Sequence, residues 1–163
     1  MTTDAATVLY DRDCGFCRWT LAQLLRWDRD RRLRPLPIQS EEGQRMLAGV
    51  PDEERLASWH LVTADGQVRS AERGFPGLFE RLPAGAPVAL LTGALPGVFG
   101  AGYRALVANR TRLGRRIGQQ RRDAATRFLD ERERTVRTGS QPTSDHTTSP
   151  AKQPVSTEPR QAR

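Results

Sequence analysis

The sequence predicts an α/β fold in which helices cover both faces of a mixed β-sheet, with extra helices and a disordered tail at the C-terminal end. Three observations support this prediction. Short apolar runs alternate with amphipathic runs in the order β-α-β-α-β-β-α over the first 82 residues. An Asp-Gly pair separates the last two short runs, which is typical of a hairpin. From residue 138 onward the chain is rich in Ser, Thr, Pro and Gln and has almost no apolar side chains.

The first strand and the first helix enclose both cysteines of the chain. Residues 7–11 are predicted to form the first strand around the apolar run at residues 8–10, and residues 18–27 form an amphipathic run with its leucines at helical spacing. The C-x-x-C pair, Cys14 and Cys17, therefore lies at the start of a helix, one turn apart on the same side. The N–H groups and the positive dipole end of a helix favour the thiolate at Cys14, which is the form that attacks a disulfide.

Zinc binding and a purely structural role both suit the cysteine pair less well. A structural zinc site needs four ligands and usually a second close pair, whereas the only histidines, His60 and His146, lie far apart in the sequence. Two buried structural cysteines have no reason to begin a helix directly behind acidic residues. The pattern therefore favours thiol–disulfide chemistry, and we expect neither a metal nor another cofactor.

The run LYDRDCGFC, from Leu9 to Cys17, resembles the DCC family of predicted thiol–disulfide oxidoreductases, which is named for a D-x-x-C-x-x-C motif. Asp11, Cys14 and Cys17 match the motif, while many members have glycine where this chain has Arg12. The resemblance implies that the catalytic residues are Cys14, Cys17 and Asp11.

A second, weaker match to the same family is the run YRALVANR at residues 103–110, so that the resemblance spans roughly residues 7–115. It implies a thioredoxin-like fold but no particular substrate. We therefore predict a thioredoxin-like redox domain in residues 1–115, an appended basic helix in residues 116–137 and a disordered tail in residues 138–163.

Two roles for Asp11 are left open by the sequence. It can carry a proton for the dithiol, or it can form the turn by accepting hydrogen bonds from N–H groups around the cysteines. The charges beside the pair oppose one another, because Asp13 disfavours the thiolate whereas Arg12 and Arg18 favour it. The direction of the reaction, reduction or oxidation of the substrate, is therefore left open as well.

The next elements follow the chain as far as a third strand. Residues 33–38 read as a strand whose two prolines suit a sheet edge or a strand end. Ser40 followed by two glutamates predicts a helix that ends near residue 49. Residues 51–55 are expected to form a charged loop, and residues 58–63 the third strand.

Asp65-Gly66 predicts a two-residue turn into a fourth strand at residues 67–70. This order of elements is the thioredoxin pattern, in which a cis-proline precedes the third strand and faces the sulfurs, but here Ser58 holds that position. His60 alternates with apolar neighbours along its strand, which predicts a satisfied interior histidine rather than a general base.

Residues 82–103 carry no charge at all. Their length suits a membrane span, but three prolines and five glycines break the run into short pieces. We expect two short core helices joined at residues 95–97, with peripheral membrane contact left open.

The net charge of +7 lies in the second half of the chain. Residues 1–82 contain 12 Arg and 13 Asp or Glu, whereas residues 83–163 contain 14 Lys or Arg and 6 Asp or Glu. Residues 104–137 are expected to form a helical stretch in which arginines surround a sparse apolar stripe. A solvated basic face is favoured over a phosphate-binding helix because no aromatic interleaving or recognition motif accompanies the arginines, and we expect no specific nucleic acid partner.

These observations predict a monomeric thiol–disulfide oxidoreductase that acts on a disulfide- or dithiol-containing protein or a small thiol. A cytoplasmic location is expected, because the first residues lack the basic and apolar segments of a signal peptide. The alternative is a redox-sensing binding module, in which the cysteine pair alters the affinity of the basic C-terminal half for nucleic acid, anionic lipid or a protein.

Overall fold

The computed structural model describes residues 5–139, and the side chains of residues 5–135. The strands in this range are Ala6–Tyr10 (β1), Leu33–Pro37 (β2), His60–Val62 (β3) and Val68–Ser70 (β4). The helices are Gly15–Trp27 (α1), Glu41–Met46 (α2), Asp52–Arg55 (α3), Phe75–Phe79 (α4), Ala86–Ala94 (α5), Pro96–Ala108 (α6), Arg110–Arg116 (α7) and Gln119–Gly139 (α8). The predicted disordered tail lies outside the described residues, apart from its first two residues, which end α8.

The sheet has the strand order β2-β1-β3-β4. β1 and β2 are parallel, with Val8 opposite Pro35, while β3 is antiparallel to both β1 and β4. The mixed sheet confirms the predicted α/β, thioredoxin-like fold. β2 is an edge strand, as its prolines predicted, because an edge strand needs fewer N–H donors than a central one.

Successive residues of β1 point to opposite faces of the sheet. Each face is covered by its own apolar cluster. Val8 and Tyr10 belong to the core cluster formed with α1, α4 and α8. Leu9 belongs to the cluster on the other face, together with Ile38 and with Leu47 at the end of α2. The two clusters give the three-layer α/β/α arrangement, and the first of them lies directly behind the cysteine pair.

The basic helix α8 packs against α1 and β2 and contributes to the first cluster. Ala125 and Leu129 are almost fully buried there. Near its end, Arg132 donates to the buried carboxylate of Asp28, with 2.6 Å between Nη2 and Oδ2. The same carboxylate oxygen accepts the N–H of Leu33, so one buried group joins α1, β2 and α8. The division of the chain into a redox domain in residues 1–115 and an appended helix in residues 116–137 stays a prediction.

Two local predictions were wrong. The expected charged loop contains a one-turn helix, α3, whose three acidic residues lie where the positive end of the helix dipole favours them. The hairpin has a three-residue loop, residues 64–66, rather than a two-residue turn. The N–H of Thr63 donates to the carbonyl of Gln67 at 3.1 Å, and Gly66 takes the left-handed conformation with φ of +81°.

The uncharged segment forms α5 and α6, which meet at Leu95 with a bend of 96°. Two short helices joined there were predicted, but their description as core helices was wrong, because α5 packs chiefly on α4 and leaves its outer side uncovered. Leu90 is 76% exposed and Val98 is 68% exposed. Of the helices in residues 5–139, none alone is long and apolar enough to cross a membrane, while α5 and α6 together have the required length and composition.

Candidate active site

Cys14 and Cys17 are joined as a disulfide at the N-terminus of α1, with 5.2 Å between their Cα atoms. Cys14 is the N-cap residue, with extended backbone angles (φ −82°, ψ 103°), and its Sγ accepts the N–H of Cys17 at 3.2 Å. A sulfur therefore takes the place of the oxygen that usually caps a helix. When the pair is reduced, the same N–H group and the helix dipole favour a thiolate at Cys14.

Asp11 turns the chain from β1 into the cysteine pair. Its Oδ1 accepts the N–H of Asp13 at 2.9 Å and a hydrogen bond from Nε2 of Gln39 at 2.7 Å. Gln39 also accepts the N–H of Arg12 at 3.1 Å, so its side chain holds both sides of the turn. This geometry supports the turn-forming role of Asp11, and the proton-carrying role stays a prediction.

A half-buried acidic group from α8 lies beside this turn. Glu133 accepts a hydrogen bond from the hydroxyl of Tyr10 at 2.8 Å and lies 3.5 Å from the guanidinium of Arg12. Burial raises the pKa of Tyr10, and the neighbouring Glu133 carboxylate raises it further. Arg12 therefore interacts electrostatically with Glu133, and this carboxylate reduces the effect of the Arg12 charge on Cys14.

The helices α7 and α8 pack closely against the two residues between the cysteines. In each contact one of the two partners is a glycine. A Cβ on Gly15 would lie 3.2 Å from Cδ of Arg122, and a Cβ on Gly114 would lie 3.5 Å from Phe16. Phe16, which stands between the two cysteines, thus contacts α7, and the preceding residue contacts α8. The C-terminal half of the described chain therefore packs against the two residues that stand between the cysteines.

An apolar cavity of about 230 Å³ opens beside Cys17. Side chains of α1, α4 and α6 form its walls, and β1 forms its floor. Tyr103 lies in the wall beside Ser58 and Trp59, and burial raises the pKa of its hydroxyl. Arg110 is at the edge of the cavity and donates to the carbonyl oxygen of Leu56 at 3.1 Å.

The cavity brings together the two segments that resemble the DCC family. Asp11 and Cys17 come from the first segment, and Tyr103 and Arg110 come from the second. The second segment was noted in the sequence only as a weak match, and nothing in its spacing indicated that it reaches Cys17. Gln39 was missed altogether, because its contacts form only when β2 pairs beside β1.

His60 lies outside this site and is fully buried. Its Nε2 donates to the carbonyl of Arg55 at 2.9 Å, and its Nδ1 accepts from the hydroxyl of Ser70 at 2.7 Å. Burial lowers the pKa of His60, which favours the neutral ring that these two partners require. The prediction of a satisfied interior histidine is confirmed.

Within residues 5–139, no three His, Cys, Asp or Glu side chains lie close enough together to hold a metal ion.

Comparison with known proteins identifies a family for this chain. The family model described as DCC1-like thiol-disulfide oxidoreductase matches residues 8–116, about two thirds of the chain. The matched range begins in β1 and ends with α7, so it contains the cysteine pair and both segments at the cavity. No curated protein and no solved structure matches the chain significantly.

Proposed function

Since the chain belongs to the DCC1-like thiol-disulfide oxidoreductase family, we propose that it exchanges disulfides through Cys14 and Cys17 by way of a mixed disulfide. The observation that carries this proposal is the pairing of the two cysteines at the N-terminus of α1, with the sulfur of Cys14 as the helix cap. The substrate is a disulfide- or dithiol-containing protein or a small thiol.

The reaction has two exchange steps. In the reduced enzyme the Cys14 thiolate attacks a substrate disulfide, which breaks the substrate S–S bond, releases one substrate thiolate and bonds the other substrate sulfur to Cys14. The Cys17 thiolate then attacks the Cys14 sulfur, closing the enzyme disulfide and releasing the second substrate thiolate. Two electrons pass to the substrate, and its two thiolates take up protons. The oxidised pair runs the same steps backward and oxidises a dithiol.

Asp11 is proposed to take up the proton of Cys17, so that the resolving thiolate can form. The support for this role is that Asp11 and Cys17 line the same cavity. The two hydrogen bonds of Asp11 that fix the turn both end on Oδ1, and they hold the carboxylate in place at the end of β1.

The test separates the two cysteines by role. In the reduced protein at neutral pH, we expect iodoacetamide to alkylate Cys14 at least about tenfold faster than Cys17, because only Cys14 caps the helix. Cys14→Ser should form no mixed disulfide, whereas Cys17→Ser should attack substrates and stall with the partner attached. Equal, slow alkylation of both cysteines or stoichiometric zinc in the purified protein would contradict the proposal.

A second candidate function is the redox-sensing module, and one observation favours it. Gly15 and Phe16 touch α8 and α7, so that breaking the disulfide acts directly on the basic half of the chain. Turnover distinguishes the two functions. With excess dithiol donor, an enzyme reduces many disulfides per molecule, whereas a sensor changes state once and stops.

A further inference from the structure

The cavity beside Cys17 has aromatic walls. Phe75 lies 5.4 Å from the ring of Trp59 and meets the ring of Tyr103 edge-on at 5.6 Å, between ring centroids. Tyr10, Phe16 and Phe79 complete the aromatic part of the lining. Such rings attract another flat ring through offset and edge-to-face contacts.

The charged group at the edge of the cavity is held by the protein itself. Nη1 of Arg110 donates to the carbonyl of Leu56 at 3.1 Å. Protein interiors normally close empty apolar space, because atoms that face a void lose their packing contacts. An open apolar cavity that touches a reactive disulfide is therefore typical of a binding site.

We propose that this cavity binds an apolar ring adjoining the reacting sulfur of the substrate, an inference that rests on the proposed disulfide exchange. An apolar cavity of about 150 Å³ holds benzene, so the volume of about 230 Å³ suits a phenyl or an indole ring. Because Cys17 is part of the wall, a ring in the cavity places its attached sulfur beside the disulfide. The ring belongs to an aromatic side chain next to a substrate cysteine or to a small aromatic thiol.

Binding is measured first without redox chemistry, by NMR titration of a Cys14→Ser, Cys17→Ser double variant with indole. Leu106 lines the cavity and is 39% exposed, so Leu106→Trp should fill the mouth of the cavity without disturbing the core. The matched control is Leu90→Trp, a replacement of an exposed leucine away from the cavity. We expect Leu106→Trp to weaken indole binding at least about tenfold and Leu90→Trp to leave it unchanged.

Val107→Phe provides a second filling variant, because Val107 is half-buried in the wall and its side chain has less freedom to turn outward. Circular dichroism checks that each variant is folded. No binding of indole to the double variant, or equal binding in both filling variants and in the control, would overturn the proposal.

Turnover then distinguishes the two sources of the ring. We compare kcat/KM of the wild-type enzyme for a peptide disulfide with Phe beside the cysteine and for the same peptide with Ser. A preference of about tenfold or more for Phe assigns the cavity to a peptide side chain, while indole binding without this preference assigns it to a small aromatic thiol. Absence of all turnover would contradict the proposed function. The indole titration would still show whether the cavity binds an aromatic ring.

A separate observation concerns the bend between α5 and α6. Four large apolar side chains are exposed along it: Leu90 at 76%, Leu91 at 49%, Leu95 at 47% and Val98 at 68%. Soluble proteins rarely expose so many neighbouring apolar groups unless the surface contacts a partner or a membrane.

The charge of the following segment indicates the kind of partner. Residues 104–122 contain seven arginines and no acidic residue. Arg104 pairs with Glu72, and Arg110 and Arg122 donate to backbone carbonyls. The other four arginines are exposed: Arg112, Arg115, Arg116 and Arg121. An uncharged apolar bend beside a purely cationic segment is the combination that binds the surface of an anionic membrane, where apolar groups enter the lipid and arginines stay at the headgroups. We infer that the α5–α6 bend inserts into the surface of an anionic membrane.

Sedimentation with lipid vesicles tests this inference. The full-length protein should bind vesicles of phosphatidylcholine mixed with phosphatidylglycerol, bind phosphatidylcholine alone weakly, and lose binding as salt rises. Leu90→Ser combined with Val98→Ser should weaken binding about tenfold or more. The control is Leu56→Ser, which changes a leucine that is 46% exposed elsewhere on the molecule.

Failure to bind the anionic vesicles would overturn the inference, as would equal weakening by the control. A dimer that forms at high protein concentration and is lost on Leu90→Ser with Val98→Ser, without vesicle binding, would assign the bend to a second copy of the chain instead.

Discussion

At the scale of single residues, the turn before the cysteines is held by side chains rather than by strand pairing. Asp11 bonds to the N–H of Asp13, and Gln39 bonds to both Asp11 and the N–H of Arg12. These bonds fix the direction in which the chain leaves β1, and hence the position of the Cys14 cap. The turn contacts of Asp11 and its proposed uptake of a proton involve the same carboxylate. A substitution that tests the proposed proton uptake must therefore preserve the turn contacts.

Asp11→Asn makes this separation. The amide oxygen of Asn still accepts the N–H of Asp13, but the side chain can no longer take up a proton from Cys17. We expect the attack of Cys14 to keep its rate and the resolution by Cys17 to slow about 10²-fold, measured by acid-quenched single turnover.

The control is Gln39→Ala, which loosens the turn but leaves the carboxylate in place and should change both steps by a similar, small factor. Resolution at the wild-type rate in Asp11→Asn would assign Asp11 to the turn alone.

His60 gives a prediction about pH. Its pKa in the folded protein is lowered by burial. The unfolded chain therefore takes up a proton on this ring as the pH falls through about 6.5, whereas the folded protein does not. The stabilisation is present above this pH and is lost as the pH decreases below it, by up to about 1.4 kcal/mol per pH unit.

Urea unfolding from about pH 7.5 to 5.5, on either side of the ordinary histidine pKa, measures this loss. His60→Gln should remove most of the pH dependence in this window, and His146→Gln, which changes the only other histidine, should keep it. An unchanged slope in His60→Gln would show that other groups cause it.

The residues that the sequence identified are those whose signal is local. The spacing of Cys14 and Cys17 and the alternation around His60 are each visible within a few positions of the chain. Gln39 lies 28 residues from Asp11, and Glu133 lies 123 residues from Tyr10. No pattern within one strand or helix indicates such a contact, because it depends on how the elements pack.

At the scale of elements, one buried charge pair joins α1 to α8 in addition to their apolar contacts. The carboxylate of Asp28 is fully buried and accepts the N–H groups of Arg32 and Leu33, both at 3.0 Å, besides the guanidinium of Arg132. Burial lowers the pKa of Arg132, and the Asp28 carboxylate opposes that shift. Each charge is therefore tolerable only while the other is present.

Asp28→Ala should cost about 3–5 kcal/mol in the free energy of unfolding, measured by urea denaturation, because it leaves Arg132 without its counter-charge. The control is Asp30→Ala, whose partner Arg32 lies 3.9 Å away at the surface, and which should cost no more than about 1 kcal/mol. Adding Arg132→Met to Asp28→Ala should recover part of the loss. A cost below that of the control would contradict this account of the helix pair.

The order of elements was predictable, because hydrophobic periodicity and turn residues act over short ranges. The errors lie where packing decides. Val62 pairs with Val68, and Thr63 and Gln67 close the hairpin inside this pair. The loop therefore contains three residues, 64–66, which is one more than a two-residue Asp65-Gly66 turn contains. The exposure of α5 and α6 could not be read from their apolar composition, since a core helix has the same composition.

At the scale of the whole molecule, the C-terminal segments differ in what they contribute. Truncation after Arg137 removes residues with almost no apolar side chains and should leave the melting temperature and the disulfide-reductase activity unchanged. Truncation after Ile117 removes Ala125, Leu129 and the partner of Asp28. We expect the second product to be unfolded at room temperature by circular dichroism, because it exposes the core behind α1.

The same pair of truncations tests the predicted division of the chain at residue 116. A cooperative melting transition in the product that ends at Ile117 would establish an independent domain. Loss of activity in the product that ends at Arg137 would show that the tail contributes to the site.

The packing of α8 over α1 also determines when the site is completed during synthesis. At about 5–20 residues per second, residues 119–139 leave the ribosome roughly 5–25 s after Cys17. Cys14 and Cys17 are one helical turn apart, so both thiols emerge together, before α8 can pack beside them. Asp28 lacks its partner Arg132 for a similar time. The newly made chain therefore presents both cysteines early, and they gain their native surroundings only after translation of α8.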